Sequence, residues 1–208
     1  MRFTQFASTS GAARAARSLR SFVVAAGMLG AAAACGDNSN FLSPASSANV
    51  IRTYNVWALS GTSSALPAAV QFSALTAERP QLLANGSVNF EVAFDLTADG
   101  KVRFMPARSV VPQAPSGAPT VGLTKSTSSF AQVTRAPDRG YIDDSTLVVG
   151  VNEVILVRLV SSGCVLGDPY YAKAVVDSII ATERRIVLRA LTNRNCGYRA
   201  LTEGLPSN

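Results

Sequence analysis

Histidine is missing from all 208 residues, and lysine is scarce, with only Lys101, Lys125 and Lys173. The first absence takes away the default general base near neutral pH and the commonest metal ligand. There is also no G-x-S-x-G, no S-x-x-K ahead of any lysine, and no C-x-x-C spacing, so no serine has an evident activating partner and no cysteine pair has a redox or zinc signature. No catalytic residue, metal site or cofactor is therefore expected, and the chain is read as a non-enzyme. Long apolar runs are lacking too. The longest, residues 21–34 (SFVVAAGMLGAAAA), has fourteen residues, short of the roughly 20 that cross a bilayer as a helix. Charge is sparse at 15% of residues, and the net +6 is unevenly placed. Arg2, Arg14, Arg17 and Arg20 precede the apolar run without any acid among them. Removing those four from the nineteen basic residues leaves fifteen against thirteen acidic ones. Basicity thus gives no reason to expect a nucleic-acid partner.

What is present at the start is a basic segment, then an apolar run, then Ala32, Ala33, Ala34, Cys35 and Gly36. This order is that of a secretory signal, and small residues directly before a cysteine resemble the lipobox of bacterial lipoproteins. The resemblance covers the targeting segment alone, and Ala32 stands where that family usually has leucine. It implies acylation of Cys35, cleavage before it, and a membrane partner reached through the lipid. Several acyl chains, each burying methylenes at about 0.8 kcal/mol apiece, make such an anchor stable. Gly36 occupies the position where aspartate would mark inner-membrane retention, so the periplasmic face of the outer membrane is the expected location. Ordinary signal-peptidase cleavage at the same small residues is the alternative. The chain then divides into a signal peptide (1–34), the lipidated cysteine with a flexible Ser- and Asn-rich tether (35–49), and one β-rich domain (50–208).

From Val50 onward the hydrophobic period is two. Val88, Phe90, Val92, Phe94 and Leu96 alternate with polar positions such as Asn89, Glu91 and Asp95, which predicts a half-buried strand with that apolar set on one face. Asp99-Gly100 offers a turn, so residues 88–105 are read as a hairpin. Further strands are expected at 51–59, 68–75, 129–135, 145–149, 153–161, 171–180 and 184–192, the last two forming a hairpin that turns near Thr182 and Glu183. A helix from Tyr170, with Ala172, Val175, Val176 and Ile179 near helical spacing, is the alternative for that stretch. The run at 153–160, EVILVRLV, is nearly all apolar and predicts a central strand covered on both faces. The proline-bearing interval from Met105 to Ser129 is read as a surface loop or a crossover between sheets. Together these predict an all-β protein, an antiparallel sandwich of roughly seven to nine strands, with a closed barrel as the alternative.

Three cysteines in an exported chain ask for one special fate. If Cys35 is lipidated, Cys164 and Cys196 are left to pair, each beside a glycine and each following a predicted strand. Tyr54, Trp57, Tyr170 and Tyr171, with Tyr198, are candidates for a carbohydrate-stacking platform, although aromatic residues of a β core need no ligand. Asp143, Asp144, Glu153, Asp168 and Asp177 supply carboxylates, but two of them are adjacent and Asp168-Pro169 reads as a turn. Arg184, Arg185, Arg189, Arg194 and Arg199 make the C-terminal part basic and suit either a solvated sheet face or an anionic envelope partner. The functional expectation is a structural or interaction module of the cell envelope, contacting another envelope protein or a cell-wall polymer. The alternative is a ligand-binding lipoprotein with an apolar or carbohydrate pocket.

Overall fold

A computed structural model describes residues 42–111, 113, 118–160, 163–164 and 167–207. The signal-like run and Cys35 lie outside the described residues.

Two hairpins foreseen in the alternation form the centres of two sheets. β4 (Val92–Leu96) and β5 (Val102–Pro106) pair from Val92↔Pro106 to Leu96↔Val102. Their turn closes as Thr97 Oγ1 accepts the Lys101 N–H at 2.9 Å, and Gly100 takes the φ of +77° that a side chain would resist. β10 (Tyr170–Ile180) and β11 (Arg185–Asn193) form the longer hairpin, joined by a 3-10 turn at Ala181–Glu183. Valine and isoleucine crowd that segment, and branched side chains sit better on a pleated sheet than on a helix. A bulge at Asp177 shifts the register, so Val176 and Ile179, three positions apart, both pack on the core.

The other strands are β1 (Val50–Trp57), β2 (Ala69–Gln71), β3 (Thr76–Glu78), β6 (Thr120–Ser126), β7 (Ile142–Asp143), β8 (Leu147–Val149) and β9 (Val154–Val160). One sheet has the order β1-β11-β10-β9-β6-β7 and the other β3-β2-β4-β5-β8, with antiparallel neighbours throughout. Neither closes on itself, so the fold is a β-sandwich and not a barrel. Its core holds Val56, Phe72, Phe94, Phe104, Leu123, Ile155, Val157, Leu159, Ile186 and Leu188 between the sheets. Among the described residues a single short α-helix, α1 (Ala107–Val110), follows β5.

Several details differ from the sequence reading. Eleven strands occur among the described residues, exceeding seven to nine, because four of them have three residues or fewer and leave little periodic signal. The segment 68–75 is split: β2 ends at Gln71 and a turn carries Leu75 at φ +61°. Residues 129–135 are not a strand. Gln132 and Val133 donate to the Ser129 carbonyl, and Gln132 Oε1 accepts from the Ser129 N–H and hydroxyl. Such side-chain bonds offer the backbone a turn in place of a ladder. β6 instead lies inside the proline-bearing interval, paired with β9 over seven residues. The alternating set from Val88 to Leu96 does not share one face. Val92, Phe94 and Leu96 face the other sheet, whereas Phe90 and Val88 join Ala69, Ala93 and Ala107 in a separate cluster. β4 begins only at Val92, and the backbone before it is irregular, so the phase is lost there.

The expected central strand is β9, and both its faces are covered. Ile155, Val157 and Leu159 enter the inter-sheet core, while Val154 and Leu156 pack outward beneath Phe130, Val133, Ala136 and Leu201. A third layer therefore lies on the outer face of the six-stranded sheet. It is built from the segment after β6 and from the C-terminal residues, which bond to each other: Ala136 N–H to Arg199 O at 2.8 Å, and Leu201 N–H to Thr134 O at 2.7 Å.

Candidate functional site

A concavity with a volume of about 490 Å³ opens in this third layer. Thr124, Lys125 and Ser126 from the end of β6 form one wall; residues 132–137, Arg139 and Arg199 form the other, over Leu156. It is an open groove, and among the described residues its lining carries four cationic side chains and no carboxylate. Two of the cations are compensated. Lys125 Nζ meets both Glu153 carboxylate oxygens at 3.1 Å, and Arg199 donates to the Ala136 carbonyl at 2.7 Å and pairs with Asp138. Arg135 and Arg139 are exposed and make no ion pair among the described residues.

The groove wall is held in place by a buried lysine. Lys173 projects from β10 and is only 4% exposed. Its Nζ donates at 2.7 Å to the carbonyls of both Phe130 and Val133 and lies 4.5 Å above the Phe130 ring. Desolvation holds its pKa below the ordinary lysine value, with Glu203 acting in the opposite direction. Arg189 covers the same ring at 4.9 Å and is itself fixed by a two-point contact with Asp177, at 2.9 and 3.1 Å. These groups tie a segment without regular secondary structure to the sheet.

The sequence-predicted residues fall elsewhere. Tyr54 is buried in the inter-sheet core, where desolvation pushes its hydroxyl up to about 12, and Tyr170 packs against that core. Tyr171 lies on the opposite face in the outer cluster, its ring 6.3 Å from that of Tyr141. Trp57 stands at the end of the edge strand β1, opposite Arg185. Strand alternation alone parts Tyr170 from Tyr171, so the four make no common platform. Of the arginines, Arg184 pairs with Asp95, Arg185 with Glu183, and Arg189 with Asp177; only Arg199 reaches the groove. Arg135 and Arg139 were missed because 129–135 was read as a strand. Their signal in the sequence is an arginine pair in T-R-A-P-D-R beside the hydroxyl-rich run T-K-S-T-S-S.

Of the five carboxylates singled out in the sequence, Asp168 is half-buried before β10 without a hydrogen bond or ion pair among the described residues, and the other four are tied individually. Asp143 accepts two bonds of 2.8 Å from Arg158, Asp144 accepts the Val121 N–H at 3.0 Å, and Glu153 accepts the Gly150 N–H at 2.5 Å in addition to its lysine. Gly122 makes the Asp143 arrangement feasible, since a Cβ there would stand 2.5 Å from the Asp143 carboxylate and 2.8 Å from Tyr141.

The acid that burial does perturb is Glu91, read from the sequence as solvent-facing and found 3% exposed. The chain irregularity before β4 turns it inward, where it accepts from the Ser73 N–H at 3.1 Å and from the Ser73 hydroxyl, capping the β2–β3 turn. Desolvation raises its pKa, only partly countered by those bonds. The folded state therefore holds its proton to higher pH than the unfolded chain does, and this contribution to stability falls as pH rises through the window between the two pKa values. We expect the difference in melting temperature between wild type and Glu91→Gln to shift against wild type as the pH is raised from the carboxylate range upward. Parallel profiles for the two proteins would contradict the raised pKa.

Cys164 and Cys196 are bonded, with α-carbons 5.6 Å apart, as their positions after β9 and β11 required. The same end of the sandwich receives residues 42–49. Asn195 Oδ1 accepts the N–H groups of Ser46 and Ser47 at 2.8 and 3.0 Å, and its Nδ2 donates to the Ser47 carbonyl at 2.8 Å. Asn49 exchanges two backbone bonds with Gly204 and is buried. The last part of the segment read as a tether thus lies bonded on the domain. Comparison of the chain with protein families, with curated proteins and with solved structures gives no match, so the site rests on its own geometry.

Proposed function

We propose that this chain is a non-enzymatic module of the bacterial cell envelope, anchored by lipid on Cys35, that holds another envelope component. The observation that carries the interaction part is the pairing of a filled inter-sheet core with an open basic groove whose wall is pinned by buried contacts. A carrier for an apolar ligand would need a sizeable cavity lined by strands, and the concavity of the third layer is lined mostly by loop side chains, polar ones prominent among them. Absence of histidine supports the non-enzymatic part, as do carboxylates committed one by one to arginine, lysine and backbone partners. The anchoring part is supported by the small residues before Cys35, and the disulfide accords with an oxidising compartment.

Anchoring and interaction can be separated by one variant. We expect Cys35→Ser to leave the membrane pellet and lose acyl label, yet to sediment with isolated cell envelopes when added back at low salt. Membrane retention without label would overturn the lipoprotein reading. A variant that stays in the supernatant would overturn the interaction reading.

A further inference from the structure

We propose that the groove between the end of β6 and residues 132–139 binds an acidic glycan, a run of hydroxylated sugars that carry carboxylates. The inference rests on the interaction reading above and names its ligand class. The sign of the charge comes first. Lys125 and Arg199 are neutralised by Glu153 and Asp138, which leaves Arg135 and Arg139 as two cations on one side of one concavity without an ion-pair partner among the described residues. A guanidinium presents a planar fork of donors that matches a carboxylate at two points. These two are carried on a segment held by the bonds to Arg199 and Leu201, so part of the ordering cost of binding is already met.

The neutral lining narrows the class further. The hydroxyls of Thr124, Thr127, Ser128 and Thr134 line the same groove and make no hydrogen bond among the described residues. A hydroxyl donates and accepts, as a sugar hydroxyl does, so the lining complements an alternation of OH and carboxylate better than a bare anion. The groove is open, which suits a polymer passing through it. No aromatic ring among the described residues lines it, so neither base stacking nor sugar stacking by them contributes. That argues against single-stranded nucleic acid and makes binding chiefly electrostatic. A lipid surface fits less well, because the exposed leucines Leu82, Leu83 and Leu205 are not part of the groove.

The test uses the full chain in detergent micelles, titrated calorimetrically with trigalacturonate, with neutral maltotriose and inorganic phosphate as comparison probes. Trigalacturonate should bind, and binding should weaken as sodium chloride is raised. Maltotriose should not bind measurably, and phosphate should bind more weakly than the trisaccharide. Arg135→Ala/Arg139→Ala should weaken trigalacturonate by about tenfold or more, as expected for loss of charge-assisted bonds. Both residues are exposed, so an unchanged melting temperature verifies that the variant is folded. Arg135→Lys/Arg139→Lys, which keeps charge but loses the fork, should fall between the two. Absence of trigalacturonate binding at low salt, equal affinity for phosphate, or unchanged affinity in the double alanine variant would each overturn the proposal. If trigalacturonate fails while Cys35→Ser protein still sediments with envelopes, the ligand class falls and the interaction reading stands.

Discussion

Replacing Cys164 and Cys196 together by alanine should lower the stability of the folded domain by about 3–4 kcal/mol, measured by urea unfolding of the oxidised wild type against the variant. The bridge closes a loop of 32 residues in sequence separation, and its chief effect is to restrict the unfolded chain. A second consequence is local. Cys196 is flanked by Asn195, which holds Ser46 and Ser47, and by Gly197, where an added Cβ would lie 2.7 Å from the Leu42 side chain. Removing the bridge loosens the loop that docks residues 42–49, so the amides of Ser46 and Ser47 should exchange with solvent faster in the variant than in the wild type, relative to those of β10. A stability change below about 1 kcal/mol, with unaltered exchange at Ser46 and Ser47, would contradict both roles.

Phe94→Ala should cost about 3–5 kcal/mol and lower the melting temperature by on the order of 10 °C. Phe94 is fully buried in the inter-sheet core and stands directly opposite Phe104 across the β4–β5 hairpin. Their rings are 4.9 Å apart at 81°, an edge-to-face pair. Truncation leaves a cavity between two sheets whose backbones are held by their own ladders and cannot collapse into it. A double-mutant cycle with Phe104→Ala should show a coupling of about 0.5–1.5 kcal/mol, reflecting the ring pair beyond simple burial. A loss near zero for Phe94→Ala would mean that β4 presents its other face to the core.

Legibility in the sequence followed the range of the forces involved. The β4–β5 and β10–β11 hairpins were readable because neighbouring residues set them: alternation along each strand, Asp99-Gly100 in one turn, and branched side chains that disfavour helix in the other. The cysteine pair was readable by counting. Phe90 shows where alternation misleads, since its parity matches Val92 and Phe94 but an irregular stretch before β4 sends it to the separate cluster with Ala69, Ala93 and Ala107 of α1. The basic groove was not readable, because its walls come from β6, the turn after it and the C-terminal residues, and because the arginines that count are those left without partners. Asp95, Asp177 and Glu183 neutralise Arg184, Arg189 and Arg185, and only Glu183–Arg185 is a near neighbour in sequence.

By itself, the sequence determined the period of two, the β4–β5 hairpin and the doubly covered run at 153–160, and it favoured the β10–β11 hairpin over a helix and, with Cys35 set aside, the pairing of Cys164 with Cys196. Each is a matter of local backbone preference or of elimination. Tertiary structure alone decided that Glu91 is buried with a raised pKa, that Lys173 pins the segment at 129–133, which neighbours cover Tyr170 on one face and Tyr171 on the other, and that Arg135 and Arg139, in a hydroxyl-lined groove, have no ion-pair partner among the described residues. The physical reason is that burial and ion pairing depend on which distant segments cover a side chain. The sheet order brings residues 134–136 against 199–201 and lays both over β9, a juxtaposition that no local pattern encodes.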